Sequence, residues 1–159
     1  NDLGNLLSRI LNMTSRYCGG RVPESTLEEC SETNLRDLWG EAHVAVRESF
    51  ASYKFNLGLD KIFTFVRGIN RYAEERAPWK LAKSEVAEDR SKLDTSLAVM
   101  VEALRLAVAL LSPIMPGVNA RVNALLGIPE TTSWEADLDW DHRLSGNALG
   151  EKTILFPRD

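Results

Sequence analysis

Asn70-Arg71-Tyr72-Ala73-Glu74-Glu75-Arg76-Ala77-Pro78-Trp79-Lys80-Leu81-Ala82-Lys83 decides how the rest of the chain is read. Upstream of it, Phe55, Leu59, Ile62, Phe63, Val66, Ile69 and Tyr72 recur at helical spacing, the pattern of a helix that buries one face. That helix cannot run through Pro78, which lacks an amide hydrogen and disfavours the α region at Ala77. The spacing predicts an end near Arg76 and a new helix with Pro78 in its first position. Trp79 then stands at a corner between two helices, flanked by Arg71, Arg76, Lys80 and Lys83. A flat aromatic face beside positive charge is what single-stranded nucleic acid needs for base stacking and phosphate attraction. An indole that closes the end of a hydrophobic core satisfies the same spacing, so the corner alone leaves both readings open.

Toward the N-terminus, residues 2–18 read as an amphipathic helix with Leu3, Leu6, Leu7, Ile10, Thr14 and Tyr17 on its inner side. Asn5, Arg9, Asn12 and Arg16 fall in one stripe on the other side. Asparagine is a poor helix former, so a stripe built from it points to hydrogen bonding with a ligand or neighbouring domain; a solvated polar face is the plainer alternative. Gly19-Gly20 ends this helix, and residues 21–33 form a loop rich in acids. Ser31 or Thr33 can cap a helix over about 34–51, whose Leu35, Leu38, Trp39, Ala42, Val46 and Phe50 face inward. Trp39 belongs to this apolar set, and His43 beside it has no catalytic partner at a useful spacing. Asn56 and Gly58 interrupt the pattern before the third helix.

Beyond the corner, the sequence predicts a short helix over 79–86 and a long one from Asp89 to Leu111. Leu104 to Leu111 is apolar nearly all round, as befits the most buried helix of a bundle. After Ser112-Pro113-Ile114-Met115-Pro116 a further helix runs to Leu126 and stops at Gly127. The tail, with Trp134, Trp140 and Phe156, has no period and reads as an extended strap that docks its aromatic groups on the bundle. The expected architecture is therefore all-α: one domain over 1–159, with a helical bundle over about 2–126 and a strap over about 127–159.

The 159 residues are 44% hydrophobic, enough for one good core. Starting at Asn1, with no signal-like segment and no apolar run of membrane-spanning length, the chain reads as an excised piece of a larger soluble protein. Cys18 and Cys30 suggest neither a disulfide framework nor a zinc site, which fits a reducing, cytoplasmic setting. The net charge of −4 argues against a surface that attracts polyanions everywhere. Positive charge is nevertheless local: residues 61–83 hold six Lys or Arg against Glu74 and Glu75, and residues 1–23 hold Arg9, Arg16 and Arg21 against Asp2. A basic patch forms if the fold brings those two stretches together.

No catalytic constellation emerges. There is no Gly-rich phosphate loop, no Gly-x-Ser-x-Gly elbow and no His-Glu-x-x-His, and His43 and His142 are the only histidines. The acids Asp137, Asp139 and Asp141 lie in tail sequence without the Gly and terminal Glu of a calcium loop. The readings that remain are an RNA-binding module and a helical bundle that binds protein through the Asn5–Arg16 stripe.

Asn12-Met13-Thr14-Ser15-Arg16, the Asn70–Lys83 corner and Leu111-Ser112-Pro113-Ile114-Met115-Pro116 resemble methionyl-tRNA synthetases of bacterial type. The opening Asp2-Leu3-Gly4-Asn5-Leu6-Leu7-Ser8-Arg9 resembles the anticodon-binding domain of class I synthetases more widely, so on its own it leaves cysteinyl, valyl and isoleucyl relatives open. The resemblance covers nearly the whole chain and implies a C-terminal helical anticodon-binding bundle whose partners are the anticodon loop of tRNA(Met) and a catalytic domain in the same polypeptide. The adenylation signatures His-Ile-Gly-His and Lys-Met-Ser-Lys-Ser are absent, so ATP, and the family's zinc, belong to that catalytic half. No catalytic or metal residue and no membrane contact is expected here. Carried onto this sequence, the family's anticodon-reading residues fall on Asn12, Arg16 and Trp79. Arg9, Arg71, Lys80 and Lys83 are candidates for the phosphate backbone, and the acidic Glu24–Glu32 loop looks peculiar to this chain.

Overall fold

The computed structural model describes residues 2–128 and 134–150. Six α-helices follow one another: α1 (Asp2–Cys18), α2 (Cys30–Ala51), α3 (Phe55–Arg76), α4 (Pro78–Leu81), α5 (Ala87–Leu111) and α6 (Pro116–Leu126). A 3-10 turn, Ala136–Leu138, comes after them. The described residues contain no strand, only an isolated antiparallel bridge between Arg21 and Ala148. The fold is the expected helical bundle.

α5 is its axis. Every residue from Thr95 to Leu111 is buried, and α5 touches each of the other helices and the 3-10 turn. A helix that is apolar on all sides can be stable in water only when surrounded in this way. α1 packs on it through Leu3, Leu6, Leu7, Ile10, Leu11, Met13 and Thr14, and α3 through Ile62, Phe65, Val66, Ile69 and Tyr72. Phe65 is thus a core residue that the spacing left out, whereas Phe55 stays exposed at the start of α3.

Three boundaries differ from expectation for identifiable reasons. α2 starts at Cys30 rather than near residue 34, because the Glu32 carboxylate accepts the Glu29 amide at 2.9 Å and caps the helix in place of Ser31 or Thr33. α3 runs unbroken through Asn56 and Gly58. Gly58 lets the Phe50 ring approach so closely that an added Cβ would overlap the edge of that ring, so this glycine is a packing device. α4 is a single turn, since the Ser84 hydroxyl accepts the Val86 amide at 3.1 Å and donates to Asp89 at 2.6 Å, a local alternative to continuing the helix.

The strap is held by charge as well as by apolar contact. Arg105, buried on α5, ion-pairs with Glu102 at 2.8 Å and donates to the carbonyls of Asp137 and Asp139 at 2.7 and 2.6 Å. Glu102 in turn accepts the amides of Asp141 and His142, each at 2.6 Å. Trp134 packs against the core with Nε1 donating to the Ala109 carbonyl at 2.7 Å, and Trp140 lies under the Arg36 guanidinium. Farther on, Leu149 donates to the Gly20 carbonyl and Gly150 to that of Leu125. The expected docking of Phe156 concerns a position outside the described residues.

Candidate nucleic-acid interface

Pro78 creates the corner in the way its chemistry requires. Ala77, barred from continuing the helix, adopts a left-handed conformation with φ 46° and ψ 64°, and α4 starts with Pro78 at its first turn. The change of direction sets Trp79 at the rim, half-buried, with its ring against the edge of the core. The guanidinium of Arg9, from the polar stripe of α1, lies over that ring at 5.4 Å from its centroid. Arg9 is steadied by Glu74 at 3.0 Å and, more weakly, by Asn70 Oδ1 at 3.4 Å. Tertiary packing thus joins the N-terminal stripe to the corner, so that Asn12 and Arg16, exposed on the next turns of α1, share the helix face that reaches Trp79.

The cations near Trp79 in sequence divide in space. Arg76 turns inward: its Nε donates to Glu32 Oε2 at 2.7 Å, its Nη2 reaches Glu29 at 3.0 Å and it also contacts Glu32 Oε1. Tyr72 donates to the same carboxylate at 2.6 Å. Burial acts to raise the Glu32 carboxyl, but the hydrogen bonds from Arg76, Tyr72 and the Glu29 amide outweigh it and hold the group below its ordinary value. Arg76 is therefore a fastener of the corner rather than part of an open cationic surface. Arg71 is exposed but lies on the other flank of α3, in a groove with Ser31, Leu38 and Glu75 from the α2–α3 contact. Lys80 and Lys83 are exposed, and among the described residues neither forms an ion pair.

Sequence reasoning missed Arg67. It joins Asn5, Arg9, Asn12 and Asn70 along a polar cleft of about 600 Å³ between α1 and α3. The signal was available: Arg67 and Asn70 are three apart, hence neighbours on one helix face, and Glu74 one turn on completes the row. A second hollow of about 520 Å³ opens beside Asn12, Ser15, Arg16 and Tyr17. Asn12 borders both.

No protein-family profile matches the chain. Individual relatives do: it is 34% identical over 165 residues to the methionine–tRNA ligase of Streptomyces coelicolor, covering 99% of this chain and 31% of that protein. It is 33% identical to that of Clostridium perfringens, covering 99% of this chain and 24% of the relative. The apo methionyl-tRNA synthetase structure from Mycobacterium tuberculosis superposes with a TM-score of 0.91 at 32% identity, over 100% of this chain and 32% of that one. Along nearly its whole length the chain is similar to methionyl-tRNA synthetases. It spans a quarter to a third of the length of these methionyl-tRNA synthetases, and its helical bundle matches their C-terminal domain.

Other features that the sequence raised have a structural setting in this bundle. His43 packs against Trp39 with the rings tilted and their centroids 5.2 Å apart, and burial followed by the nearby Arg47 charge lowers its pKa. Among the described residues no group of three or more His, Cys, Asp or Glu side chains is placed to hold a metal ion. No described helix is long and apolar enough to cross a membrane.

Proposed function

We propose that this chain is the anticodon-binding domain of a methionine–tRNA ligase, reading the CAU triplet of tRNA(Met) in the cytoplasm while a catalytic domain of the same polypeptide attaches methionine using ATP. The observation that carries this reading is the contact between Arg9 and Trp79, which sets an aromatic face beside a helix stripe of amides and guanidinium groups. An unpaired base in an anticodon loop offers a π-face and free Watson–Crick edges. Trp79 supplies the stacking surface. Asn12 can donate and accept at a base edge, and Arg16 supplies a planar fork of donors. Arg9, Lys80 and Lys83 are then the candidates to meet the phosphates near the corner, and Arg71, on the other flank of α3, is the weakest of the original four. ATP and zinc remain assigned to the catalytic half.

Titrating the full chain with an anticodon stem-loop RNA carrying CAU, and with one altered at the first triplet base, tests the reading. Tighter binding of CAU supports it. Equal binding of the two RNAs counts against it.

A further inference from the structure

The residues carried over from the family account for the indole, Asn12 and Arg16, yet the cleft between α1 and α3 extends past them. Every side chain lining it is polar, among them Asn5, Ser8, Asn12, Asn70, Arg67 and the single carboxylate Asp2. Its volume of about 600 Å³ falls within the range of sites that hold small molecules, but a lining without apolar side chains excludes the usual anchors of a drug-like ligand or an amphipathic helix. What it offers is donors and acceptors. Asn5 and Ser8 each present both kinds, and neither is engaged by another described side chain.

The charge in the cleft is unevenly committed. Arg9 shares its charge with Glu74 at 3.0 Å, whereas among the described residues Arg67 Nη2 meets only the Thr64 hydroxyl, at 3.2 Å. Arg67 is thus a cation without a carboxylate partner among the described residues, suited to an anion that enters the cleft. The cleft also adjoins the indole, because Arg9 lines it and has its guanidinium carbon 5.4 Å from the Trp79 ring centroid. A nucleotide placed there would be a chain neighbour of a base stacked on the indole.

We infer that the α1–α3 cleft is a second subsite, one that takes the ribose and phosphate of a loop nucleotide next to the base on Trp79. Arg67 holds the phosphate, and Asn5 and Ser8 hydrogen-bond the 2′-hydroxyl, the group that separates RNA from DNA. This rests on the anticodon-binding reading and extends it to four residues outside the reading set: Asn5, Ser8, Arg67 and Asn70.

The test uses the full chain and the CAU stem-loop, with single 2′-deoxy substitutions placed in turn at each loop position. In the unaltered protein, deoxy substitution at one position bordering the stacked base should weaken binding about two- to tenfold, the worth of one hydrogen bond. Asn5→Ala should abolish that sensitivity and leave the other positions unchanged. Arg67→Gln should weaken binding to all sequences alike and lower the salt slope by about 0.7. Thermal melts confirm that these surface variants fold. If Asn5→Ala and Arg67→Gln bind as the unaltered protein does while Trp79→Ala weakens binding, the subsite is refuted and the anticodon reading stands. If Trp79→Ala has no effect either, both are refuted.

Discussion

The Arg9 guanidinium lies over the Trp79 ring, 70 positions away in sequence, with its carbon 5.4 Å from the indole centroid. The contact links α1 to the proline corner and leaves the indole partly open to solvent. A cation over an aromatic face at a half-exposed site contributes about 0.5–1 kcal/mol. A double-mutant cycle on Arg9→Ala and Trp79→Ala, followed by urea unfolding, should return a coupling energy of that size. Trp79→Ala should also destabilise the fold by less than the roughly 3–5 kcal/mol typical of a fully buried tryptophan, while weakening stem-loop binding by about 1–3 kcal/mol. A collapse of the melting temperature with RNA binding intact would make Trp79 a core residue instead.

Base contacts and phosphate contacts respond differently to salt. Lys80 is exposed, and Asn12 carries no charge. Lys80→Ala should reduce the slope of log affinity against log salt, by about 0.7 for one phosphate on a single strand, whereas Asn12→Ala should lower affinity with the slope unchanged. Fluorescence titration from low to moderate salt checks both. Identical slopes for the two variants would remove Lys80 from the phosphate contacts.

Glu32 links acid stability to the corner. Its carboxyl lies below the ordinary value of 4.5 in the folded chain, burial being outweighed by the bonds from Arg76 and Tyr72. The unfolded chain therefore binds the proton more readily, and the stability from this group is complete above about pH 4.5 and lost as the pH falls through the folded value. His43 and His142 act earlier. Burial, the largest cause for each, lowers them from 6.5, so their neutral forms favour the fold and stability begins to fall as the pH drops below about 6.5. Denaturation curves from pH 7 to pH 3 should thus show two descending phases. Glu32→Gln should flatten the lower one and reduce stability at pH 7, because Arg76 loses its buried anionic partner.

The strap depends on an ion pair that the apolar character of α5 conceals. Arg105 and Glu102 are both almost wholly buried, and between them they satisfy two carbonyls and two amides of residues 137–142. Arg105→Ala leaves Glu102 as a buried charge without its partner and should cost about 3–5 kcal/mol. Hydrogen exchange should locate the early effect in residues 137–142, with the amides of Asp141 and His142 losing protection before those of α1 and α3. Uniform loss across the chain would show that the strap and the bundle unfold as one unit.

The sequence by itself determined the elements, because helix signals are local. The spacing of Ile62, Val66, Ile69 and Tyr72, the proline at 78 and the glycine at 127 fixed where helices run and stop. The same periodicity put Asn5, Arg9, Asn12 and Arg16 on one stripe. Only the tertiary structure decided which charges are free. Arg76 and Arg67 look alike in sequence, yet Glu32, 44 positions before Arg76, draws one into the fold while the other lines a cleft. The pairing of Arg105 with residues more than 30 positions away, and of Arg9 with Trp79, was equally out of reach. A period of 3.6 residues says which face a side chain occupies, whereas a hydrogen bond or ion pair also requires the position of a partner that only chain packing sets.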